Sequence, residues 1–215
     1  MADFAGSRQG RSGRVIRNAR VILSAVALVF VVLLITSNEF WRWMYPIGYQ
    51  STIQQAATLS DVDPLLVASV IRVESKFQKE DVSHAGAIGL MQLMPQTATW
   101  VAGQMAKTGQ AERYGITVGS ATDLSVPTTN IRLGSWYMQY LFAQFNGNEV
   151  AAIAAYNAGP KRVQQWLASG TWNGELKTIP NIPVGETRHF VDRVFYNYDL
   201  YKRIYGADAK WQLQQ

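Results

Sequence analysis

Residues 65–95 read LLVASVIRVESKFQKEDVSHAGAIGLMQLMP, an apolar run that ends at Glu74 and leads into a glycine-rich segment. Directly before it stand Asp63 and Pro64, typical of a helix N-cap and a first-turn proline. We therefore predict a helix over residues 64–75, with the glutamate in its last turn and a loop behind it.

Glu74 is predicted to lie on the apolar face of this helix. Helical periodicity groups it with Val67, Val70 and Ile71, opposite Ser69, Arg72 and Lys76. Burial disfavours a charged carboxylate, so its pKa should rise above the value of about 4.3 in water. Such a carboxyl can donate a proton near neutral pH. The alternative is a side chain that turns to solvent or pairs with an arginine.

Three motifs resemble the catalytic domain of the soluble lytic transglycosylase (SLT) family. The first joins Glu74 and Ser75 to Ser83, Gly86 and the segment GLMQLMP at 89–95. The second is AAYNAGPKRV at 154–163, and the third is IPVGETRHFVDRV at 182–194. Three motifs in the family's order are far more specific than any one of them.

This resemblance implies a peptidoglycan lytic transglycosylase with Glu74 as its catalytic residue. The glutamate would protonate the glycosidic oxygen between N-acetylmuramic acid (MurNAc) and N-acetylglucosamine (GlcNAc). It would then accept the proton of the MurNAc C6 hydroxyl, which closes to a 1,6-anhydro ring without consuming water.

Two alternatives remain open at the level of sequence. Ordinary glycosidases use two carboxyl groups, and a hydrolase resembling goose-type lysozyme could recruit Glu80, Asp81, Asp123 or Glu186 as the second. The other alternative is a non-catalytic glycan-binding scaffold, which the intact surroundings of Glu74 disfavour.

The resemblance also implies a set of substrate-binding residues. Ser83 would bind near the muramoyl N-acetyl group, Tyr156 would orient the carboxyl, and Asn157 would hold a sugar. The remaining predicted contacts, along the glycan groove, are Met91, Gln92, Met94 and Glu186. Each has a simpler alternative role: Ser83 could form a turn, the methionines could pack in the core, and Glu186 could interact favourably with the helix dipole. Core packing is what we expect of Leu90 and Leu93.

The fold class predicted from the whole sequence is all-α. Helices are expected over residues 48–60, 64–75, 95–107, 127–145, 148–157, 160–169 and 186–205. Residues 108–126 look like a surface loop, and the proline-interrupted stretch 171–185 cannot form a regular helix. The resemblance implies a lysozyme-like domain with a substrate groove.

An apolar segment near the N-terminus predicts a transmembrane signal anchor at residues 19–37. Residues 1–18 form a short basic segment, whose arginines indicate a cytoplasmic N-terminus, and residues 38–47 are an aromatic interfacial linker. The catalytic domain, residues 48–215, would then lie in the periplasm, outside the bacterial inner membrane. A cleaved signal peptide is the alternative, and it gives the same destination.

The composition limits which classes of partner and cofactor are expected. The net charge of +5 is concentrated before residue 38, where five arginines face one aspartate, so a nucleic-acid partner is not expected. The chain has no cysteine and two histidines without metal-ligand spacing, so neither a zinc site nor another cofactor is predicted. Expected partners are peptidoglycan glycan strands, the cytoplasmic membrane, and a secretion, division or wall-synthesis complex.

Overall fold

The computed structural model describes residues 9–117, 123–206 and 211, with side chains described from residue 18 onward. The chain divides into two compact units, Met1–Pro46 and Ile47–Gln215.

The described part of the first unit, from residue 9, contains α1 (Gln9–Thr36) and α2 (Asn38–Met44). Within α1, the stretch Asn18–Thr36 has a mean hydropathy of 2.6 and is long enough to cross a membrane, although a signal sequence would meet the same criterion. The short helix α2 begins after Ser37, whose hydroxyl accepts a hydrogen bond from Phe40 N–H at 3.3 Å. Most of the predicted basic segment, residues 1–18, lies outside the residues with described side chains.

The described part of the second unit is built of helices joined by loops. Its helices are α3 (Gln50–Ser60), α4 (Pro64–Glu74), α5 (Pro95–Lys107), α6 (Pro127–Gln144), α7 (Glu149–Ala158), α8 (Pro160–Ala168) and α9 (Gly185–Tyr205). A 3₁₀ helix at Leu176–Asn181 occupies part of the stretch predicted to be irregular. Residues 9–117 and 123–206 contain no β-strand beyond isolated bridges, which confirms the all-α prediction.

Helix α4 is the centre of this unit. Asp63 caps it, accepting a hydrogen bond from Leu65 N–H at 2.7 Å, and its residues 64–71 are all buried between α3 and α9. The prediction that Ser69 lies on a polar face was wrong. Because neighbouring helices cover both sides of α4, Ser69 is fully buried and its hydroxyl donates to Leu65 O at 2.6 Å.

The loop after α4 is tied to α6 by one buried amide. Asn130, with no exposed surface, accepts a hydrogen bond from Met91 N–H at 2.8 Å and donates to the carbonyls of Ile88 (2.8 Å) and Leu124 (3.0 Å). Leu90 and Leu93 are buried, as predicted. The loop is therefore a fixed part of the core.

The segment at 108–126 differs from the predicted surface loop over its described residues. Tyr114 is buried and its hydroxyl donates to Leu59 O at 2.7 Å, while Ile116 and Leu124 are also buried. Arg132 holds the same segment from α6 through a 2.9 Å bond to Tyr114 O. Residues 118–122 lie outside the described part.

Candidate active site

Glu74 is the last residue of α4 and lies half-buried at the edge of the core. Burial raises its pKa from 4.5 to about 8, and the negative charge of Glu186 adds to the rise. Its carboxyl forms no hydrogen bond or ion pair with the residues that the structure describes. The raised pKa predicted from the sequence is thus confirmed, and no arginine neutralises this carboxyl within the described residues.

Tyr156, in the last turns of α7, lies close enough to Glu74 for the glutamate's charge to raise the tyrosine's pKa, after the larger effect of burial. Its hydroxyl donates a hydrogen bond to Met91 O at 2.8 Å. The phenolic proton is therefore used by the backbone. The phenol oxygen can still accept a hydrogen bond through a lone pair, and a protonated Glu74 could donate one.

The two methionines of the GLMQLMP segment have different environments. Met91 has no exposed surface, and its side chain packs against Gly134 of α6, where a Cβ would meet Met91 Cε at 2.8 Å. The expected contact of Met91 with glycan is not supported, because this side chain fills the space left by a glycine. Met94, by contrast, is 38% exposed.

Ser83 and Gln92 are both tied into the loop that follows Glu74. Ser83 Oγ accepts a hydrogen bond from Ala87 N–H at 3.0 Å, which makes it a turn-forming residue whose hydroxyl proton remains available. Gln92 adopts a positive φ of 46°, and its amide nitrogen donates to Asp81 O (3.0 Å) and Gly89 O (2.9 Å). These bonds leave the Gln92 side-chain carbonyl as an acceptor.

Asn157 is held by Thr187, which is not among the site residues predicted from the sequence. Thr187, which is 1% exposed, donates its hydroxyl hydrogen bond to Asn157 Oδ1 at 2.6 Å. The Asn157 amide hydrogens are thereby left as the free donors. Thr187 directly follows Glu186 in the third motif, so the motif itself was the available signal.

The carboxylates considered as a possible second catalytic group are not equivalent. Glu80 is exposed beside Lys79 at 3.5 Å, and Asp123 is exposed and accepts hydrogen bonds from Ser125. Glu186, in the first turn of α9, is the carboxylate whose charge acts on Glu74. Among the described residues, no group of three or more metal-ligating side chains occurs. His84, in the loop after α4, is exposed.

Fold and site together define a helical domain built around one poorly solvated carboxylic acid. Residues 51–179 match the transglycosylase SLT domain, and the chain belongs to this family. The predicted membership of the SLT family is thereby confirmed, and the matched residues include the first two motifs.

Two solved structures and one curated relative illustrate the similarity. The soluble lytic murein transglycosylase of Escherichia coli K12 is 33% identical over 165 residues, covering 76% of this chain and 24% of the relative. An inactive mutant of the lytic transglycosylase Slt from Pseudomonas aeruginosa superimposes with a TM-score of 0.65 at 36% identity, covering 76% of this chain and 25% of that one. The 70-kDa soluble lytic transglycosylase of Escherichia coli gives a TM-score of 0.68 at 29% identity, covering 82% and 27%.

These similarities confirm the lysozyme-like helical fold. This chain spans about a quarter of the length of the relatives that it matches.

Proposed function

We propose that this protein is a peptidoglycan lytic transglycosylase that cleaves the β-1,4 bond between MurNAc and GlcNAc without water. The observation that carries the proposal is Glu74, a carboxyl with no partner among the described residues and a pKa of about 8. At neutral pH such a group is mostly protonated, so it can act as the general acid for the departing GlcNAc oxygen.

The same environment equips Glu74 for the second half of the reaction. The first step breaks the bond from the anomeric carbon to the glycosidic oxygen, and the Glu74 proton goes to that oxygen. The resulting carboxylate is poorly solvated and is repelled by the charge of Glu186, so it is a stronger base than an ordinary carboxylate. It takes the proton of the C6 hydroxyl as that oxygen bonds to the anomeric carbon, which restores the acid and gives a 1,6-anhydro-MurNAc end.

The neighbouring polar groups are suited to bind the substrate around this carboxyl. Ser83 offers a hydroxyl proton, Asn157 offers its amide hydrogens, and Gln92 offers an acceptor oxygen. Each side chain is fixed by a hydrogen bond to the protein. Such preorganisation lowers the cost of ordering the site when a glycan binds. Met94 supplies exposed apolar surface in the same segment as Gln92.

One of the relatives supports this assignment. The Pseudomonas structure is of an inactive mutant in which one glutamate is replaced by glutamine. That result fits a mechanism that depends on a single acid.

Product analysis of purified murein sacculi tests the proposal. The full chain in detergent should release fragments ending in 1,6-anhydro-MurNAc, and Glu74→Gln should abolish release. The matched control is Glu80→Gln, an exposed carboxylate in the following loop, which should retain activity. Fragments heavier by one water, with reducing ends, would instead show a goose-type-lysozyme-like hydrolase. Sacculi left intact by the wild-type protein would favour a non-catalytic scaffold.

We further propose that residues 19–37 anchor the protein in the inner membrane, with residues 1–18 cytoplasmic, residues 38–47 at the interface and the domain at 48–215 in the periplasm. The apolar stretch Asn18–Thr36 and the arginines before it support this orientation. The chain has no cysteine, so single cysteines report location cleanly. Tyr196→Cys, at a 66% exposed position, should react with a membrane-impermeant thiol reagent in spheroplasts. Ala5→Cys should react only after permeabilisation.

Tethering would raise the local concentration of the enzyme at the wall. It would also place the domain beside a secretion, division or wall-synthesis complex, which we propose as the class of partner that restrains it.

A further inference from the structure

A recess of about 280 Å³, open to solvent, lies among helices α5, α6 and the start of α8. This volume is close to the lower end of the range of roughly 300–1,000 Å³ that is typical of ligand sites, so it suits a small group such as one sugar ring. Its described lining consists of Gln96, Thr97, Trp100, Tyr137, Tyr140 and Pro160. None of the site residues predicted from the sequence is among them.

Trp100 is the unusual member of this lining. This residue is 39% exposed, yet its ring makes nearly perpendicular contacts with Tyr140, at a centroid distance of 4.9 Å, and Tyr137, at 6.2 Å. Tyr140 is itself fixed, since it stacks on Trp136 at 5.7 Å and accepts a hydrogen bond from Gln144 at 2.7 Å. The recess therefore has a rigid aromatic wall with an open indole surface.

The same rings connect the recess to the acid. Tyr137 lies 5.6 Å from the ring of Tyr156, and Tyr156 is the tyrosine whose pKa responds to Glu74. Two ring-to-ring steps thus separate Trp100 from the aromatic residue beside the carboxyl. A polymer of linked sugars with one bond at Glu74 can reach this recess with a sugar further along the same strand.

The chemistry of the lining favours a sugar ring. Aromatic side chains offer flat apolar surface, to which the C–H-bearing face of a pyranose is complementary, while the Gln96 amide and the hydroxyls of Thr97 and Tyr137 can pair with sugar hydroxyls and N-acetyl groups. None of the described lining residues is charged. The stem peptide of peptidoglycan carries carboxylates, which would call for a cation at this place.

We propose that this recess is a distal sugar-binding site, in which a pyranose ring of the glycan strand stacks on Trp100. The inference rests on the proposed glycan substrate and adds a residue that sets affinity for longer strands.

Binding of a neutral, peptide-free probe tests it directly. The full chain carrying Glu74→Gln, in detergent, is titrated with the hexamer of N-acetylglucosamine, and Trp100→Ala and Trp100→Phe are added to it in turn. We expect Trp100→Ala to raise the Kd roughly two- to tenfold, the range for loss of one aromatic contact, with Trp100→Phe in between. Tyr196→Ala, which removes a 66% exposed ring on α9, is the matched control and should leave the Kd unchanged.

A second measurement separates binding from folding. With 5-fluorotryptophan incorporated, the ¹⁹F resonance that disappears in Trp100→Phe identifies Trp100, and the hexamer should shift it. An unshifted resonance would overturn the proposal, as would an unchanged Kd in a Trp100→Ala protein that melts normally. If Trp100→Ala does not fold, the Kd of Trp100→Phe and the ¹⁹F resonance of Trp100 test the proposal instead.

The outcomes also separate this inference from the proposed function. Normal cleavage of sacculi with no effect of Trp100 on hexamer binding would refute the distal site alone. Absence of cleavage by the wild-type protein would refute the proposed function, while a shifted Trp100 resonance would still establish the sugar site. Weaker binding only of peptide-bearing strands would assign the recess to the peptide and overturn the proposal.

Discussion

The hydroxyl of Tyr156 donates a hydrogen bond to the backbone carbonyl of Met91, 2.8 Å away. This bond joins the end of α7 to the loop behind Glu74, and Asn130 accepts a hydrogen bond from the N–H of the same Met91 at 2.8 Å. The loop is thus clamped on both sides of one residue. Tyr156 supports the site through the backbone as well as through its nearness to the acid.

Replacing Tyr156 by phenylalanine should reduce both stability and turnover. Met91 O loses its hydrogen bond, which should cost about 1–3 kcal/mol of unfolding free energy. Glu74 loses a polar neighbour, and we therefore expect kcat on sacculi to fall at least tenfold. Tyr114→Phe removes a comparable bond to Leu59 O at 2.7 Å. This control should lose stability and keep kcat, and equal losses of kcat in the two variants would contradict the role of Tyr156.

The pH dependence of kcat/KM should show an alkaline limb near pH 8, because Glu74, the proposed general acid, must be protonated to donate and its pKa is about 8. Glu186 contributes to that value through its negative charge. Glu186→Gln should therefore move the limb to lower pH, and only slightly, since burial is the larger cause and Glu186 is exposed. Steady-state rates from pH 5 to 10 would measure the shift, and a limb that stays in place or moves upward would contradict the coupling.

Glu74 should also make the stability of the fold depend on pH. Its pKa is raised in the folded protein, so the folded state holds one more proton than the unfolded chain between about pH 4.5 and pH 8. Stability from this group is complete below pH 4.5 and is lost as the pH rises through 8. Glu74→Gln should change stability little at pH 4 and increase it by roughly 2–4 kcal/mol at pH 9.

Denaturant titrations in detergent at the two pH values would measure this effect. Glu80→Gln serves as the control, because Glu80 is exposed and its replacement should give the same small difference at both. An equal effect of Glu74→Gln at pH 4 and pH 9 would show that the carboxyl is not perturbed by burial.

Gly134, in α6, leaves the space that the Met91 side chain occupies. A Cβ here would overlap the Met91 side chain, approaching its Cβ at 3.1 Å and its Cε at 2.8 Å. Gly134→Ala should therefore displace the GLMQLMP segment, costing about 1–3 kcal/mol and lowering activity. Gly103→Ala, in α5, places its new methyl group in open space and should stabilise the protein by up to about 1 kcal/mol. Calorimetry on both variants would test the contrast, and two stabilised proteins would contradict it.

The sequence could predict those features that depend on local signals. Proline and capping residues place the starts of α4, α5, α6 and α8. The position of Glu74 among valines on one helix face also predicts that burial raises its pKa. Close contact at Gly134 could be anticipated because a glycine within a helix needs a packing reason.

Features that depend on long-range packing could not be predicted in the same way. Ser69 is buried because α3 and α9 cover both sides of α4, and helical periodicity assumes one solvent face. Tyr114 is buried by a contact with Leu59, more than fifty positions earlier in the chain. The aromatic recess likewise combines Trp100 with tyrosines of another helix, and no motif in the sequence joins them.

Thr187 should act as a positioning residue for Asn157. Its hydroxyl hydrogen bond to Asn157 Oδ1, at 2.6 Å, fixes which end of the amide faces outward, and its burial protects that bond from water. Thr187→Val keeps the shape but removes the donor, so the amide can turn over. We expect KM for glycan to rise roughly three- to tenfold with a smaller change in kcat, the loss of about one hydrogen bond. Thr187→Ser, which keeps the hydroxyl, should restore KM. A valine variant with unchanged KM, or a serine variant as impaired as valine, would show that Thr187 serves packing alone.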